Sequence, residues 1–128
     1  MKQLFLFAVA AFLSVAGIAQ QATWQQMEDF HSVMSKTFHP AEEGNLKPTK
    51  DNASTLTAKA KAWLSAPIPK GYDAAIAKPI LKKLVTSCEA IEAGVKAKKS
   101  DKELTGLITK AHDNFHEIKE KCTVGEKH

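Results

Sequence analysis

The sequence predicts an all-α protein, an antiparallel up-down-up-down four-helix bundle, from three observations. Apolar residues recur at spacings of three and four along most of the chain, which is the periodicity of amphipathic helices. No stretch alternates between apolar and polar residues as a half-buried strand does, and no Asn-Gly hairpin signal occurs. Short segments with proline, glycine or polar residues separate four periodic stretches, so short connections would join neighbouring helices.

An apolar leader opens the chain. Lys2 precedes a predominantly apolar run over residues 4–16, which is followed by small residues. This pattern is typical of a secretory signal peptide, and the run is shorter than the roughly 20 residues that a membrane span needs. We expect residues 1–19 to be the signal, with cleavage after Ala19 or, as the alternative, after Ala22. The mature protein would be exported and soluble, in the periplasm or an equivalent compartment.

The rest of the chain has room for one domain. Residues 20–122 are long enough for one hydrophobic core, and residues 123–128 are expected to form a flexible tail. The full chain has 18 lysine and arginine residues against 14 aspartate and glutamate residues, a net charge of +4 that is too small for a nucleic-acid-binding surface. Helical spacing puts Cys122 about 15 Å from the level of Cys88, so we expect two reduced cysteines.

The first two predicted helices flank a polar segment. The first runs from about Thr23 to Phe38 and is expected to end before Pro40, because the residue before a proline disfavours the helical conformation. The second follows the segment NLKPTKDN, residues 45–52, and ends at the double-proline turn APIPKG. The apolar stripe of the first helix is Trp24, Met27, Phe30, His31, Met34 and Phe38, and the second helix carries Leu56, Ala60 and Trp63.

The third and fourth predicted helices begin with recognisable capping residues. Asp73 can cap the third helix, in which Pro79 falls within or near the first turns, where a missing N–H is tolerated. The fourth helix opens with a capping box from Ser100 to Glu103. The stripe of the third helix is Ile80, Leu81, Leu84, Cys88, Ile91 and Val95, and that of the fourth is Leu104, Leu107, Ile108, Ala111, Phe115, Ile118 and Cys122.

Antiparallel hairpins set the relative heights of the histidines. Counting from the turns places His31 level with His116 and His112 one turn away, within about 5 Å. His31 lies about 45° from the centre of its apolar stripe, whereas His112 and His116 lie about 80° and 120° off theirs. His31 would therefore need a ligand or a buried partner such as a hydroxyl or water, and His112 and His116 are either ligands or solvated side chains. His39, close to two glutamates, is either a polar helix end or a ligand.

The combination resembles the cytochrome b562 family, the periplasmic four-helix haem proteins with an architecture like that of cytochrome c′. The resemblance rests on an alanine-rich second helix that starts with Lys50 and Asp51, and on the proline turn SAPIPKGY. It also rests on a third helix that ends in lysines and on the segment NFHEIKEK of the last helix. These features span most of the mature chain, roughly Met27 to Cys122.

The resemblance implies non-covalent haem b. The family holds haem between a methionine of the first helix and a histidine of the last, and His116 matches that histidine. The matching place on the first helix falls at Phe30 or His31, so the second ligand would be His31 or a methionine one turn away. No Cys-x-x-Cys-His motif occurs, which excludes covalent haem. The residues expected to ligate the haem or line its pocket are His116, His31, Met34, Met27, Phe30 and Phe115.

Three functions follow as hypotheses, and none is enzymatic. The first is an exported b-type haem-binding electron-transfer protein with a redox partner protein. The alternative is an envelope protein that binds or buffers copper, zinc or nickel within a metal-handling system, because histidines at i and i+4 share a helix face. The third is a non-catalytic interaction bundle. The ligands for a bare ion would come from His116, His31, His112 and His39. In each case we expect a monomer that binds no nucleic acid and has no membrane span after signal cleavage.

Overall fold

The computed structural model describes residues 24–122, which form four helices joined by short connections. Helix α1 spans Gln25–Glu42, α2 spans Lys47–Ser65, α3 spans Ala74–Lys96 and α4 spans Asp101–Lys121. Each helix packs on the next, and α1 also packs on α4, which closes the bundle. No strand occurs in this part of the chain. The predicted all-α four-helix bundle is therefore confirmed.

The chain termini are not part of this description. The predicted signal peptide over residues 1–19, both predicted cleavage positions and the predicted tail over residues 123–128 lie outside the described residues. Among the helices within residues 24–122, none is long and apolar enough to cross a membrane.

Aromatic side chains form one cluster within the core. The Trp63 ring lies 5.5 Å from Trp24, 5.7 Å from Phe30 and 5.9 Å from Phe115, measured between centroids. All four side chains are at most 1% exposed, and burying each stabilises the fold by roughly 2 to 3 kcal/mol. Within the described residues, the indole N–H groups of Trp24 and Trp63 have no hydrogen-bond acceptor. Packing between the rings, and not hydrogen bonding of the indoles, therefore holds this cluster together.

Helix α1 continues through Pro40, so the predicted end at Phe38 is wrong. A proline in the last turn removes a single backbone hydrogen bond of the helix, and buried Ala41 beyond it packs into the core. The helix ends in a Schellman motif. The N–H of Gly44 donates to the Ala41 carbonyl at 3.0 Å and that of Asn45 to the Pro40 carbonyl at 2.9 Å. Gly44 supplies the positive φ, +88°, that this motif requires.

Helix α2 begins at Lys47. It therefore starts within the segment NLKPTKDN, residues 45–52, which was expected to precede the helix. Pro48 occupies its first turn, where the fixed φ of proline suits a helix and its missing N–H has no partner to lose. The Asn45 side chain accepts the N–H of Lys47 at 3.1 Å. The fully buried Thr49 donates to the carbonyl of Thr37 at 3.5 Å, which ties the start of α2 to α1.

The predicted caps of α3 and α4 are both confirmed. The Asp73 carboxylate accepts the N–H of Ala75 at 2.9 Å, and Pro79 lies within α3. In the capping box of α4, the Ser100 hydroxyl oxygen accepts the N–H of Glu103, while the Glu103 carboxylate accepts the N–H of Ser100, both at 3.1 Å. The Ser100 backbone N–H is also the main reason that the pKa of Glu103 lies below its ordinary value. Cys88 and Cys122 are buried free thiols, as expected.

Helix α3 also ends in a Schellman motif, but with lysine where glycine is usual. Lys98 has φ +57°, its N–H donates to the Val95 carbonyl at 3.0 Å, and the N–H of Lys99 donates to the Gly94 carbonyl at 2.9 Å. A residue with a Cβ atom is strained in this left-handed conformation, whereas glycine adopts it freely.

We expect Lys98→Gly to raise the free energy of unfolding by about 0.5 to 1 kcal/mol, because relief of the left-handed strain exceeds the extra entropy of the unfolded chain. Urea denaturation followed by circular dichroism measures the change. Lys36→Gly, at an exposed position within α1, is the matched control and should lower the same free energy by about 1 kcal/mol. Equal losses in both variants would contradict the assignment of strain to Lys98.

Candidate metal centre

His112 and His116 form a pair on one face of α4. Their Nε2 atoms are 3.1 Å apart, and their ring centroids 4.4 Å. Two nitrogens bound to one ion at 2.0–2.1 Å are about 2.9 Å apart at a right angle and about 3.4 Å apart at the tetrahedral angle. A hydrogen bond between the two rings has a similar length. The pair is therefore already spaced to chelate one ion.

Phe38 of α1 holds the His112 ring in place. The two rings stack with centroids 3.7 Å apart and planes 9° from parallel. Phe38 is buried, and the His112 side chain is 23% exposed, so the imidazole lies along the groove between α1 and α4. The stack fixes the plane of the ring and thereby the direction of its Nε2 atom. His116, whose side chain is 45% exposed, lies one turn further along α4.

A carboxylate lies near the Nδ1 atom of each ring, and the Nε2 atoms are the ones that face each other. The Nδ1 atom of His112 is 3.9 Å from Asp113 Oδ1, and that of His116 is 3.9 Å from Glu120 Oε2. A carboxylate near Nδ1 favours the tautomer that carries its proton there, which leaves the Nε2 lone pair for a ligand. With both rings in that tautomer, the 3.1 Å contact is no longer a hydrogen bond, and two lone pairs face each other. A cation between them removes this repulsion.

The surroundings also favour the neutral form of His112. Burial is the largest cause that lowers the pKa of His112, and the positive charge of His116 lowers it further. Asp113 and Glu42 oppose the shift, and His39 adds to it, but the net direction is down. Since a metal ion binds the unprotonated imidazole, the lowered pKa keeps His112 ready to bind at neutral pH.

His39 lies outside the pair, at the end of α1. Its side chain is 69% exposed, and its Nδ1 atom is 3.5 Å from a carboxylate oxygen of Glu42. His39 and Glu42 are both close enough to His112 to shift its pKa. They are therefore the side chains of α1 best placed to approach an ion bound at His112. Across residues 24–122, no group of three or more His, Cys, Asp or Glu side chains is arranged to hold a metal ion. A metal ion bound at this pair would therefore have two protein ligands, His112 and His116.

The other residues predicted to bind a ligand lie in the core or beside it. Met27, Phe30 and Met34 are buried on α1. The partly buried His31 stacks on Phe115, with centroids 5.1 Å apart and planes at 25°. This ring contact is not the ligand, hydroxyl or water that His31 was expected to need, so that expectation stays a prediction.

The packing around Phe115 does not fit haem b between His31 and His116. Besides its contact with His31, the Phe115 ring lies 5.7 Å from Phe30 and 5.9 Å from Trp63, so side chains fill the interior where a macrocycle would lie. The Nε2 atom of His116 faces His112 in the groove. Haem binding stays a prediction, and this arrangement gives it no support.

Three residues of the centre were not anticipated as site residues. The sequence identifies Phe38 only as part of an apolar stripe. Counting from the turns places His112 level with Met34 or Ser35, about one helical turn before Phe38 on α1. Asp113 and Glu120 are not among the predicted site residues, although each stands within four residues of a histidine. For Glu120 the available signal is an acidic residue four positions after a histidine on a helix, whereas helical spacing gives no signal for Asp113, directly after His112.

Comparisons with protein-family models, curated proteins and solved structures found no match for this chain.

We expect the metal-free protein to lose stability as the pH falls below about 6.5, the ordinary pKa of histidine. The folded protein holds the pKa of His112 lower, so the unfolded chain takes up the proton first. The free energy of unfolding keeps falling until the pH reaches the pKa of His112 in the folded protein. Below that pH, His112 causes no further loss. Urea midpoints measured from about pH 8 to pH 5 with a chelator present report the loss.

His112→Gln should show a smaller loss across this pH range than the unaltered protein does. His39→Gln is the matched control, and it should keep nearly the full loss because the His39 side chain is mostly exposed. An unchanged pH dependence in His112→Gln would contradict the assignment to His112.

Proposed function

We propose that this protein is exported and binds a copper, zinc or nickel ion reversibly through His112 and His116. The observation that carries the proposal is the 3.1 Å separation of their Nε2 atoms. The stack of His112 on Phe38 and the carboxylates beside both Nδ1 atoms support it, because each favours the geometry or tautomer that a ligand needs.

The ligand type selects the class of ion. Imidazole nitrogen is a borderline ligand that suits copper, zinc and nickel better than magnesium or calcium, which prefer oxygen. A pair of histidines leaves the remaining coordination positions to water or to a donor from another molecule. Such an open centre can exchange its ion, unlike a structural zinc site closed by four protein ligands.

The leader sequence indicates where this binding would occur. Residues 1–19 have the pattern of a secretory signal, so the bundle would work outside the cytoplasm. A reversible two-histidine centre there supports a role in buffering an envelope metal ion or passing it to a partner of a metal-handling system. We propose binding without catalysis, since the His-x-x-x-His segment has no glutamate directly after the first histidine, the general base of zinc proteases.

The test is a titration of the metal-free mature protein with copper, zinc and nickel, followed by calorimetry and thermal unfolding. An ion that binds only the folded state stabilises it by about 2.7 kcal/mol at a free concentration of 100 times Kd. His112→Ala and His116→Ala should each abolish most of this stabilisation. His39→Ala is the control and should retain it.

Two results would contradict the proposal. One is that none of the three ions stabilises the protein. The other is that His112→Ala, His116→Ala and His39→Ala all reduce the stabilisation by the ion equally. Haemin added to the same proteins distinguishes haem binding from the binding of a bare metal ion. A Soret band that needs His116 and His31 but is unaffected by His112→Ala would favour haem over a bare ion.

A further inference from the structure

A second cleft lies between α3 and α4, away from the groove that holds the histidines. Its volume is about 400 Å³, within the 300–1,000 Å³ typical of small-molecule sites. Both helices contribute polar or basic side chains to it. The lining residues are Lys82, Lys83, Thr86 and Ser87 from α3 and Lys110 and Asn114 from α4.

The cleft is positively charged. Three lysines line it, and none of its lining residues is acidic. Lys83 is neutralised by Glu117, whose carboxylate is 3.3 Å from the Lys83 ammonium and 3.5 Å from that of Lys121. Within the described residues, Lys82 and Lys110 have no carboxylate at salt-bridge distance. Two lysines without a carboxylate partner among residues 24–122 therefore line one cavity.

A buried polar pair forms part of the lining between these lysines. The Asn114 amide donates to the Ser87 hydroxyl oxygen at 2.7 Å, and the two residues are only 8% and 7% exposed. Because the Ser87 oxygen accepts this bond, its own proton is left for another acceptor, as is the second amide proton of Asn114. The exposed Thr86 contributes another hydroxyl. Neutral donors and two cations thus line the same cleft.

We propose that this cleft binds a small phosphate monoester through its phosphate group. A phosphate dianion matches two ammonium groups in charge, and its oxygens can accept bonds from lysine, serine, threonine and asparagine together. The cavity has room for an organic portion beside the phosphate, and the aliphatic stems of the lysines give that portion apolar walls. The proposal is independent of the metal centre.

Calorimetry of the full mature chain at low ionic strength, with a chelator present, tests the site. The probes are glycerol 3-phosphate, inorganic phosphate and, as the neutral comparison, glycerol. We expect glycerol 3-phosphate to bind more tightly than inorganic phosphate, and glycerol not to bind. The double variant Lys82→Gln/Lys110→Gln should weaken binding at least about tenfold, and Thr86→Val should weaken it less, since it removes one neutral donor.

The matched control is Lys36→Gln/Lys102→Gln, which removes the same charge from exposed positions outside the cleft. Binding that falls equally in both double variants would reflect the general surface charge and overturn the proposal. Phosphatidylcholine vesicles containing phosphatidic acid distinguish a lipid source of the phosphate from a soluble one. Either source supports the site if binding depends on Lys82 and Lys110, and a lack of binding to every phosphate probe overturns it.

Discussion

The contact of Phe115 with Phe30 and Trp63 is the interaction on which the rest of the structure depends. These three rings come from α4, α1 and α2, are almost fully buried, and lie within 6 Å of one another between centroids. Large side chains in a closely packed core cannot turn independently, because any rotation would open a cavity on one side and a clash on the other. Phe115 therefore fixes the rotation of α4 about its own axis.

This rotation determines what α4 presents on either side of the core. Each residue advances about 100° around a helix, so the positions directly after the buried Ala111 and Phe115 are on one flank and the positions directly before them are on the other. The first flank carries His112 and His116 into the groove with α1. The second carries Lys110 and Asn114 into the groove with α3. The proposed cation centre and the proposed anion cleft thus rest on two pairs with the same spacing of four residues.

The sequence predicted the parts of this arrangement that depend on pattern and on local chemistry. The four helices follow from the apolar periodicity, and the caps at Asp73 and Ser100 from residue type, because both properties act over a few neighbouring positions. The end of α1 was predicted wrongly, because burial of Ala41 and the glycine turn at Gly44 outweigh the local cost of Pro40. Tertiary packing decided that boundary, and the residues before the proline could not reveal it.

The candidate site was only partly predictable for a similar reason. Spacing showed that His112 and His116 share a face, and it placed both on the flank of the stripe. It did not show that Phe38 stacks on His112 or that Phe115 lies against His31, since a height argument has an error of about one turn. A shift of one turn decides which histidine has an aromatic partner and which faces another histidine. The sequence therefore offered His112 with His116 as one alternative beside His31 with His116, and the structure supplied the orientation of the rings.

The charges around α4 keep the two grooves chemically distinct. Asp113 and Glu120 lie beside the histidines, whereas Lys82 and Lys110 border the opposite cleft without carboxylate partners in the described chain. The carboxylates would favour a divalent cation in the first groove, and the lysines would favour a phosphate in the second. Because the buried stripe of α4 separates the grooves, each can be occupied without removing a ligand from the other. A single rigid helix can in this way support two sites of opposite charge in a bundle of about 100 residues.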